Sequence, residues 1–195
     1  RRLPERSEMQ VSDTSLPGVY EIEPRVFEDS RGFFLETYRT SRYDHNDMSV
    51  EFRQSNHTHS AHRTLRGLHY QMARPQGKLV YAARGEVLDV AVDIRRGSPH
   101  FGQWHAVLLN DTNHKQLFIP PDFAHGFCVL SETVDLIYLL TDEYDPDDQY
   151  AIRWNDPDIG IRWPIKDPIL SGKDQICSFL KDVPPDHLPE FQSNA

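Results

Sequence analysis

Hydrophobic and polar residues alternate along most of this chain, and the alternation predicts short β-strands. The clearest stretch is LVYAARGEVLDVAVDIRRGSP at residues 79–99, where aliphatic residues at alternate positions from 88 to 94 share one face and Asp89 and Asp93 occupy the other. A period of two is typical of half-buried strands, with a polar face toward solvent. Gly85 is expected to divide the stretch into two strands.

The same pattern recurs elsewhere, with turn residues between the runs. Further predicted strands are GVYEIEPRVF (18–27), GFFLETY (32–38), WHAVLL (104–109), KQLFIP (115–120), GFCVLS (126–131) and VDLIYLL (134–140). Short strands at a spacing of roughly 8–14 residues, without helical periodicity between them, favour an all-β antiparallel sandwich, jelly roll or small barrel.

The length of the chain, 195 residues, suits one domain with a proper core. Residues 1–15 are polar and without periodicity, so we expect a loose N-terminal arm. Residues 16–195 are expected to form a single jelly-roll domain, whose proline-rich tail wraps the strands and includes a short helix near GKDQICSFLKD (172–182).

Composition narrows the class of function. A formal net charge of −9 argues against a protein that holds nucleic acid through its overall field. No apolar run reaches the roughly 18 residues needed to span a bilayer, so no membrane partner is expected. Only two cysteines occur, which predicts reduced thiols and a cytoplasmic location.

Histidines are concentrated in SNHTHSAHRTLRGLHYQ at residues 55–71. A His-x-His pair is a familiar metal-binding arrangement, but zinc sites need three or four converging ligands and neither cysteine lies nearby. For His57, His59 and His62 we favour ordinary polar positions at a strand edge or turn. His69 differs from these three histidines because basic residues lie near it on both sides in the sequence, Arg66 before it and Lys78 after it.

Arg66 and His69 could share one pocket only if the strand bends between them, since an odd spacing on a regular strand places side chains on opposite faces. Gly67 is the expected position of that bend. Two further polar residues lie in apolar strands, namely His125 in FIPPDFAHGFCVL and Tyr138 in DLIYLL. Each is consistent with a hydrogen-bonded core residue or with a group offered to a pocket.

Eight motifs in order resemble the dTDP-4-dehydrorhamnose 3,5-epimerase family. They are RGFFLET, LRGLHYQ, QGKLV, RGEVLDVAVDIRRGSPHFGQW, IPPDFAHGFCVLSE, TDEYDP, WNDPDIGIRWP and LSGKD, and they extend from about Val19 to Asp174. The resemblance implies a cupin-type jelly roll and a homodimer whose N-terminal strands reach into the partner. It also implies a dTDP-sugar substrate and no metal or cofactor.

Catalytic roles follow from the resemblance, which implies that a 4-keto sugar is deprotonated and reprotonated beside its ketone. His69 is the implied base and Asp174 its carboxylate partner. Tyr138 is the implied acid on the opposite face of the sugar, and Lys78 the cation beside the developing enolate oxygen. The implied substrate-binding residues are Gln54, Asn56, Arg66 and His125 of the same chain, together with Arg31, Phe34 and Glu36 contributed by the partner subunit.

Two departures from the family pattern bear on the substrate. Leu139 follows Tyr138 where the family usually has lysine, and Arg63-Thr64 precedes LRGLH where a glycine is common. We therefore expect epimerisation at C3, C5 or both, in deoxysugar biosynthesis with dTDP-L-rhamnose as the first expectation. The alternatives are a single-carbon epimerase of another deoxysugar pathway, a non-catalytic sugar-nucleotide-binding cupin, or a metal-dependent cupin using histidines 57–62 with His69.

Overall fold

A computed structural model describes residues 9–43, 48 and 50–192, and its regular secondary structure consists mainly of β-strands. In chain order the strands are β1 (Gln10–Asp13), β2 (Tyr20–Glu23), β3 (Val26–Asp29), β4 (Gly32–Leu35), β5 (Gln54–Ala61), β6 (Leu65–Gln71), β7 (Lys78–Arg84), β8 (Glu86–Asp93), β9 (Trp104–Asn110), β10 (Gln116–Ile119), β11 (Phe123–Val129), β12 (Thr133–Leu140) and β13 (Gln149–Ala151). Helix α1 (Thr40–Tyr43) precedes β5 and helix α2 (Gly172–Gln175) follows β13. Two short 3-10 turns, Leu180–Asp182 and Pro185–His187, lie in the tail.

Two antiparallel sheets form a sandwich. One sheet has six strands in the order β1-β2-β10-β7-β12-β5, and the other has five in the order β13-β6-β11-β8-β9. Strands β3 and β4 pair only with each other as a separate two-stranded hairpin. Several neighbours in space, such as β2 with β10 and β12 with β5, are distant in sequence, as in a jelly roll, and the predicted all-β sandwich is confirmed.

Most predicted strands are present close to their expected positions. Residues 79–99 form β7 and β8, and the break falls at Gly85, where φ is +79° and an added Cβ would lie 2.2 Å from a backbone oxygen. The short helix predicted within 172–182 is α2. The prediction of a loose arm over residues 1–15 is wrong for Gln10–Asp13, which pair in register with β2; residues 1–8 lie outside the described residues.

Three hydrophobic layers hold the sandwich together. The central layer lies between the sheets and contains Val80, Leu117 and Leu136 from one sheet with Ala91 and Phe127 from the other. Each fully buried aliphatic or aromatic side chain of this kind stabilises the fold by about 1.5–3 kcal/mol.

The outer face of each sheet is also covered. Tyr43, Met48 and Val50 pack on the outside of the six-stranded sheet. The C-terminal tail, through Ile159, Leu180 and Leu188, packs on the outside of the five-stranded sheet. None of the helices within 9–43 and 50–192 has the length and apolar character needed to cross a bilayer.

Coverage of both faces corrects one expectation from the sequence. The alternation in β8 assigned Asp89 and Asp93 to a solvent-facing side, but both are fully buried at 0% exposure. Val90, Val92 and Ile94 pack under the C-terminal tail instead. The polar face of β8 is therefore the inner face of the sandwich, where buried carboxylates require partners.

Candidate active site

A bend in β6 brings Arg66 and His69 to the same side of the five-stranded sheet. The pairing of β6 with β11 shifts register at this point: His69 lies opposite His125, but Arg66 lies opposite Phe127. Gly67 has φ +123°, and a Cβ there would lie 2.5 Å from the Cα of Gly126. The bend predicted at Gly67 is confirmed, and two glycines make it possible by their close approach.

His69 points between the sheets and contacts a buried carboxylate. The residues on either side of it, Leu68 and Tyr70, belong to the outer layer, so the intervening side chain faces inward. His69 Nε2 lies 2.7 Å from Asp174 Oδ1, and the two side chains are 29% and 3% exposed. Because an ionised carboxylate only accepts hydrogen bonds, Nε2–H donates and Nδ1 is the ring nitrogen with a lone pair.

Asp174 lies on α2, 105 residues after its histidine partner. Burial alone would raise the pKa of Asp174, but the hydrogen bond and charge of His69, with a hydrogen bond from Ser171, bring the pKa below its ordinary value. Asp174 is therefore an ionised partner that orients the imidazole.

Lys78 extends from the opposite sheet toward the same place. Its Nζ lies 3.5 Å from the backbone oxygen of His69, and the residue is 8% exposed. Burial lowers the pKa of Lys78 from 10.5 to about 8, although the charge of Asp89 acts in the other direction. A buried ammonium at this position can stabilise a negative charge that develops in the gap between the sheets.

His125 forms a second histidine–carboxylate pair with Asp89. His125 Nε2 lies 3.0 and 2.9 Å from the two carboxylate oxygens of Asp89, and both residues are buried. Burial lowers the pKa of His125, against the charge of Asp89, so the ring is neutral at physiological pH. Sequence reasoning missed Asp89 because its alternation was interpreted as a solvent-facing position; an acidic residue in a strand with two apolar neighbours was the available signal.

Tyr138 faces the cleft from the six-stranded sheet. It packs against the central layer and pairs in register with Asn56 on the neighbouring strand. Burial raises the pKa of Tyr138 above its ordinary value of 10.0, while a hydrogen bond with Asn56 acts in the other direction. The phenol therefore keeps its proton at neutral pH. Gln54 donates to Asn56 Oδ1 at 2.9 Å, which continues this polar row along β5.

Arg66 spans the gap between the two sheets at the exposed side of the cleft. Its Nε and Nη2 donate to Ser60 Oγ at 3.3 and 3.2 Å, and Ser60 is 4% exposed. The guanidinium is close enough to interact electrostatically with Asp174 and Tyr138. Arginine at such a position suits an anionic group on a ligand.

The predicted residues Arg31, Phe34 and Glu36 lie apart from this cleft, on and just after the β3–β4 hairpin. Arg31 is ion-paired with Asp29, and its side chain is 88% exposed. Phe34 is 68% exposed and lies 6.2 Å from Phe27 between ring centroids. Glu36 pairs with two arginines of the following segment, Arg39 and Arg42. Within one chain, their described contacts are with the hairpin and its neighbours.

The other histidines of the cluster also lie outside the cleft. His57 and His59 are on the outward side of β5, 60% and 62% exposed, and each ring lies 2.9 Å from Asp135 Oδ1. His62 lies in the turn after β5. The structure gives no support to the alternative that joins histidines 57–62 to His69 in one metal site, because His57 and His59 point outward from β5 and His62 lies in the turn that follows. Within 9–43 and 50–192, no three His, Cys, Asp or Glu side chains are arranged to hold a metal ion.

The cleft thus combines an imidazole oriented by a carboxylate, a buried cation and a protonated phenol. His69 and Tyr138 lie on opposite sheets, so a flat ligand between them meets a base on one side and an acid on the other. This arrangement suits removal of a proton beside a carbonyl and its return from the other face.

Comparison with known proteins points to one family. The family model described as dTDP-4-dehydrorhamnose 3,5-epimerase matches residues 13–182. The dTDP-4-dehydrorhamnose 3,5-epimerase of Pseudomonas aeruginosa is 50% identical over 169 residues, which cover 86% of this chain and 93% of the relative. That of Neisseria gonorrhoeae is 50% identical over 167 residues, and the match covers 85% of this chain but 51% of the relative's length.

A solved structure agrees over nearly the whole chain. The crystal structure of dTDP-6-deoxy-D-glucose-3,5-epimerase from Legionella pneumophila Philadelphia 1, in complex with dTDP-4-keto-L-rhamnose, superimposes with a TM-score of 0.92. It is 42% identical, and the match covers 95% of this chain and 100% of that one.

Proposed function

This chain belongs to the dTDP-4-dehydrorhamnose 3,5-epimerase family, and from that premise we propose that it epimerises a dTDP-4-keto-6-deoxyhexose at C3, C5 or both. The reaction belongs to deoxysugar biosynthesis, and dTDP-L-rhamnose is the expected product pathway. The observation that carries the proposal is the placement of His69, bonded to Asp174, on one sheet and Tyr138 on the other.

The substrate's own ketone makes the chemistry accessible. A carbonyl at C4 acidifies the C–H bonds at C3 and C5, and His69 removes one of these protons through its unprotonated ring nitrogen. The electron pair moves onto the C4 oxygen, whose negative charge Lys78 stabilises. Tyr138 then donates a proton to the same carbon from the opposite face, and the configuration inverts.

We expect no metal ion or organic cofactor to take part. The electron pair is held by the substrate's carbonyl, and the negative charge is matched by Lys78, so each step balances with groups of this chain. Both cysteines among the described residues, Cys128 and Cys177, are unpaired, which is consistent with the cytoplasmic location we propose.

Substrate binding is proposed to involve two subunits of a homodimer. Arg66, Gln54 and Asn56 line the cleft of one chain, and His125 lies at its buried end. We assign Arg31, Phe34 and Glu36 to the diphosphate and nucleobase bound in the partner's cleft, reached through exchange of N-terminal strands. Support comes from the exposure of this hairpin, whose aromatic side chains Phe33 and Phe34 are 59% and 68% exposed.

Proton NMR of dTDP-4-keto-6-deoxyglucose in heavy water tests the proposal. The purified protein should replace the C3 and C5 protons with deuterium and give the inverted product. Exchange at one carbon only would select the single-carbon alternative. Tight binding without exchange would identify a non-catalytic sugar-nucleotide-binding cupin, and loss of activity with a chelator would contradict the cofactor-free mechanism.

A further inference from the structure

A serine outside the set predicted from the sequence holds the carboxylate that orients His69. Ser171 is the N-cap of α2, and its Oγ accepts from the backbone N–H of Asp174 at 3.1 Å. The same hydroxyl donates to Asp174 Oδ2 at 2.8 Å, while Asp174 Oδ1 faces His69 at 2.7 Å. Each carboxylate oxygen therefore has its own partner, and the three side chains form a chain in the order serine, aspartate, histidine.

The segment before Ser171 is fixed to the strand that carries His69. Ile169 accepts a hydrogen bond from Leu65 N at 3.0 Å and donates one to Arg63 O at 2.8 Å. These backbone bonds are made at the start of β6, a few residues before the base. These backbone hydrogen bonds therefore fix the location of the Ser171 backbone relative to β6, independently of any contact made by its side chain.

The segment after α2 is also held in place relative to β6, through hydrogen bonds to Arg153. Arg153 N donates to Ser178 O at 2.9 Å, and Arg153 Nε donates to Cys177 O at 2.8 Å. The residue before Arg153, Ile152, exchanges two backbone hydrogen bonds with Leu68 at 3.1 and 2.9 Å. Both ends of α2 are thus tied to β6, and the remaining freedom of Asp174 is rotation of its side chain.

We propose that Ser171 is a positioning residue, whose hydroxyl holds the Asp174 carboxylate in the rotamer that orients the His69 imidazole. This rests on the proposed function for its effect on rate, but the geometric claim concerns the dyad alone. A carboxylate with one oxygen occupied by a fixed donor presents the other in a single direction, which keeps the imidazole in one tautomer and orientation.

The test compares three variants that are purified to the same degree and are equally well folded. Ser171→Ala removes the hydroxyl; Ser171→Thr keeps it, and because Ser171 is exposed, the extra methyl group has room. Ser98→Ala is the control: Ser98 Oγ donates to the buried Asp93 at 2.7 Å and accepts from His100 N at 3.1 Å, so it repeats the hydrogen-bond pattern away from the cleft.

Two readouts separate positioning from a general loss of stability. The first is kcat and KM for deuterium exchange, for which Ser171→Ala should lower kcat about tenfold with KM changed less than about twofold. The second is the downfield proton NMR signal of the His69 Nε2–H in the substrate-free protein, assigned by its loss in His69→Ala. That signal should shift or broaden in Ser171→Ala, and both readouts should be retained in Ser171→Thr and Ser98→Ala.

Two results would overturn the inference. One is that Ser171→Ala matches Ser98→Ala in kcat and in the imidazole signal. The other is that Ser171→Thr is as impaired as Ser171→Ala, in which case the hydroxyl is not the group that matters. The NMR signal needs no substrate, so it decides the positioning claim even if His69→Ala retains full exchange, a result that would count against the proposed base instead.

Discussion

Histidine–carboxylate contacts of similar length lie both on the outside of this sandwich and between its two sheets. On the outer side, His57 and His59 each lie 2.9 Å from Asp135, and the histidines are 60% and 62% exposed. On the inner side, His69 lies 2.7 Å from Asp174, with 29% and 3% exposure. The partner atoms and the distances are nearly the same, but the surroundings are not.

The comparison shows that a histidine–aspartate contact is not in itself a catalytic dyad. Water screens the outer pair, because exposed ion pairs interact in a high dielectric and contribute little. In the inner pair Asp174 is shielded from water, and His69, on the sheet opposite Tyr138, lies beside Lys78. Under the proposed function, this pair exchanges a proton with a ligand held between the sheets. Under the proposed function, the two kinds of contact differ in whether the histidine ring faces solvent or the gap between the sheets.

The same substitution on each side should separate the two contacts most strongly. His69→Asn keeps a hydrogen-bond donor for Asp174 but removes the base, so deuterium exchange at C3 and C5 should fall by about 10⁴, the upper range for one acid–base group. His59→Asn should leave the rate within about twofold of the original. NMR in heavy water measures both, with circular dichroism to confirm folding. Comparable losses in the two variants would contradict the comparison.

Tyr138→Phe should separate two events at the inner site that normally occur together, namely exchange of the substrate proton and inversion of the carbon. Without the phenol, His69 can still remove a proton and return a deuteron to the same face, so exchange should persist. Inversion should fall by about 10², the lower range for a proton donor. The measurement is the ratio of deuterium incorporation to inverted product in one NMR time course. Equal loss of both would assign Tyr138 to binding.

Part of this comparison was available from the sequence. Alternation in residues 88–94 and the apolar run at 134–140 predicted strands that the structure contains, and the odd spacing of Arg66 and His69 predicted the bend at Gly67. Local pattern could also place His57 and His59 on one face, since they are two residues apart. Such inferences work because strand geometry repeats every two residues.

The rest depends on contacts that no local pattern contains. Asp174 meets His69 across 105 residues, and only the family resemblance suggested that pair. Asp89 was assigned to the wrong side because the same apolar–polar alternation occurs in a half-buried strand and in a strand that is covered on both faces. Only the packing of the C-terminal tail on the apolar face of β8 shows which kind of strand it is. The strand at Gln10–Asp13 was missed since its stability comes from pairing with β2 rather than from its own polar residues.

Dependence on pH offers a smaller but specific test of the inner environment. Burial lowers the pKa of Lys78 to about 8, and only the protonated amine can stabilise the enolate oxygen. Activity should therefore fall above pH 8, by about tenfold per pH unit, because the neutral form gains at that rate. The pKa of Tyr138 is raised, so the phenol does not account for this limb. A kcat/KM profile measures it, and a limb that begins only near 10.5, the ordinary value for lysine, would contradict the buried charge.

The smallest effect on the exchange rate is expected from substitutions on the outer side of β5. A nearly unchanged rate would show that the outer histidines take no part in the reaction. Replacing His57 and His59 together with alanine removes both partners of Asp135 but leaves the inner face of β5, including Asn56, in place. Exchange at C3 and C5 should stay within about twofold, since exposed pairs of this kind couple weakly to their surroundings. The assay is repeated with and without a chelator. A large loss in the double variant, together with sensitivity of the unmodified protein to the chelator, would mean that the outer histidines hold a metal on which the reaction depends, and the distinction between the two faces would fail.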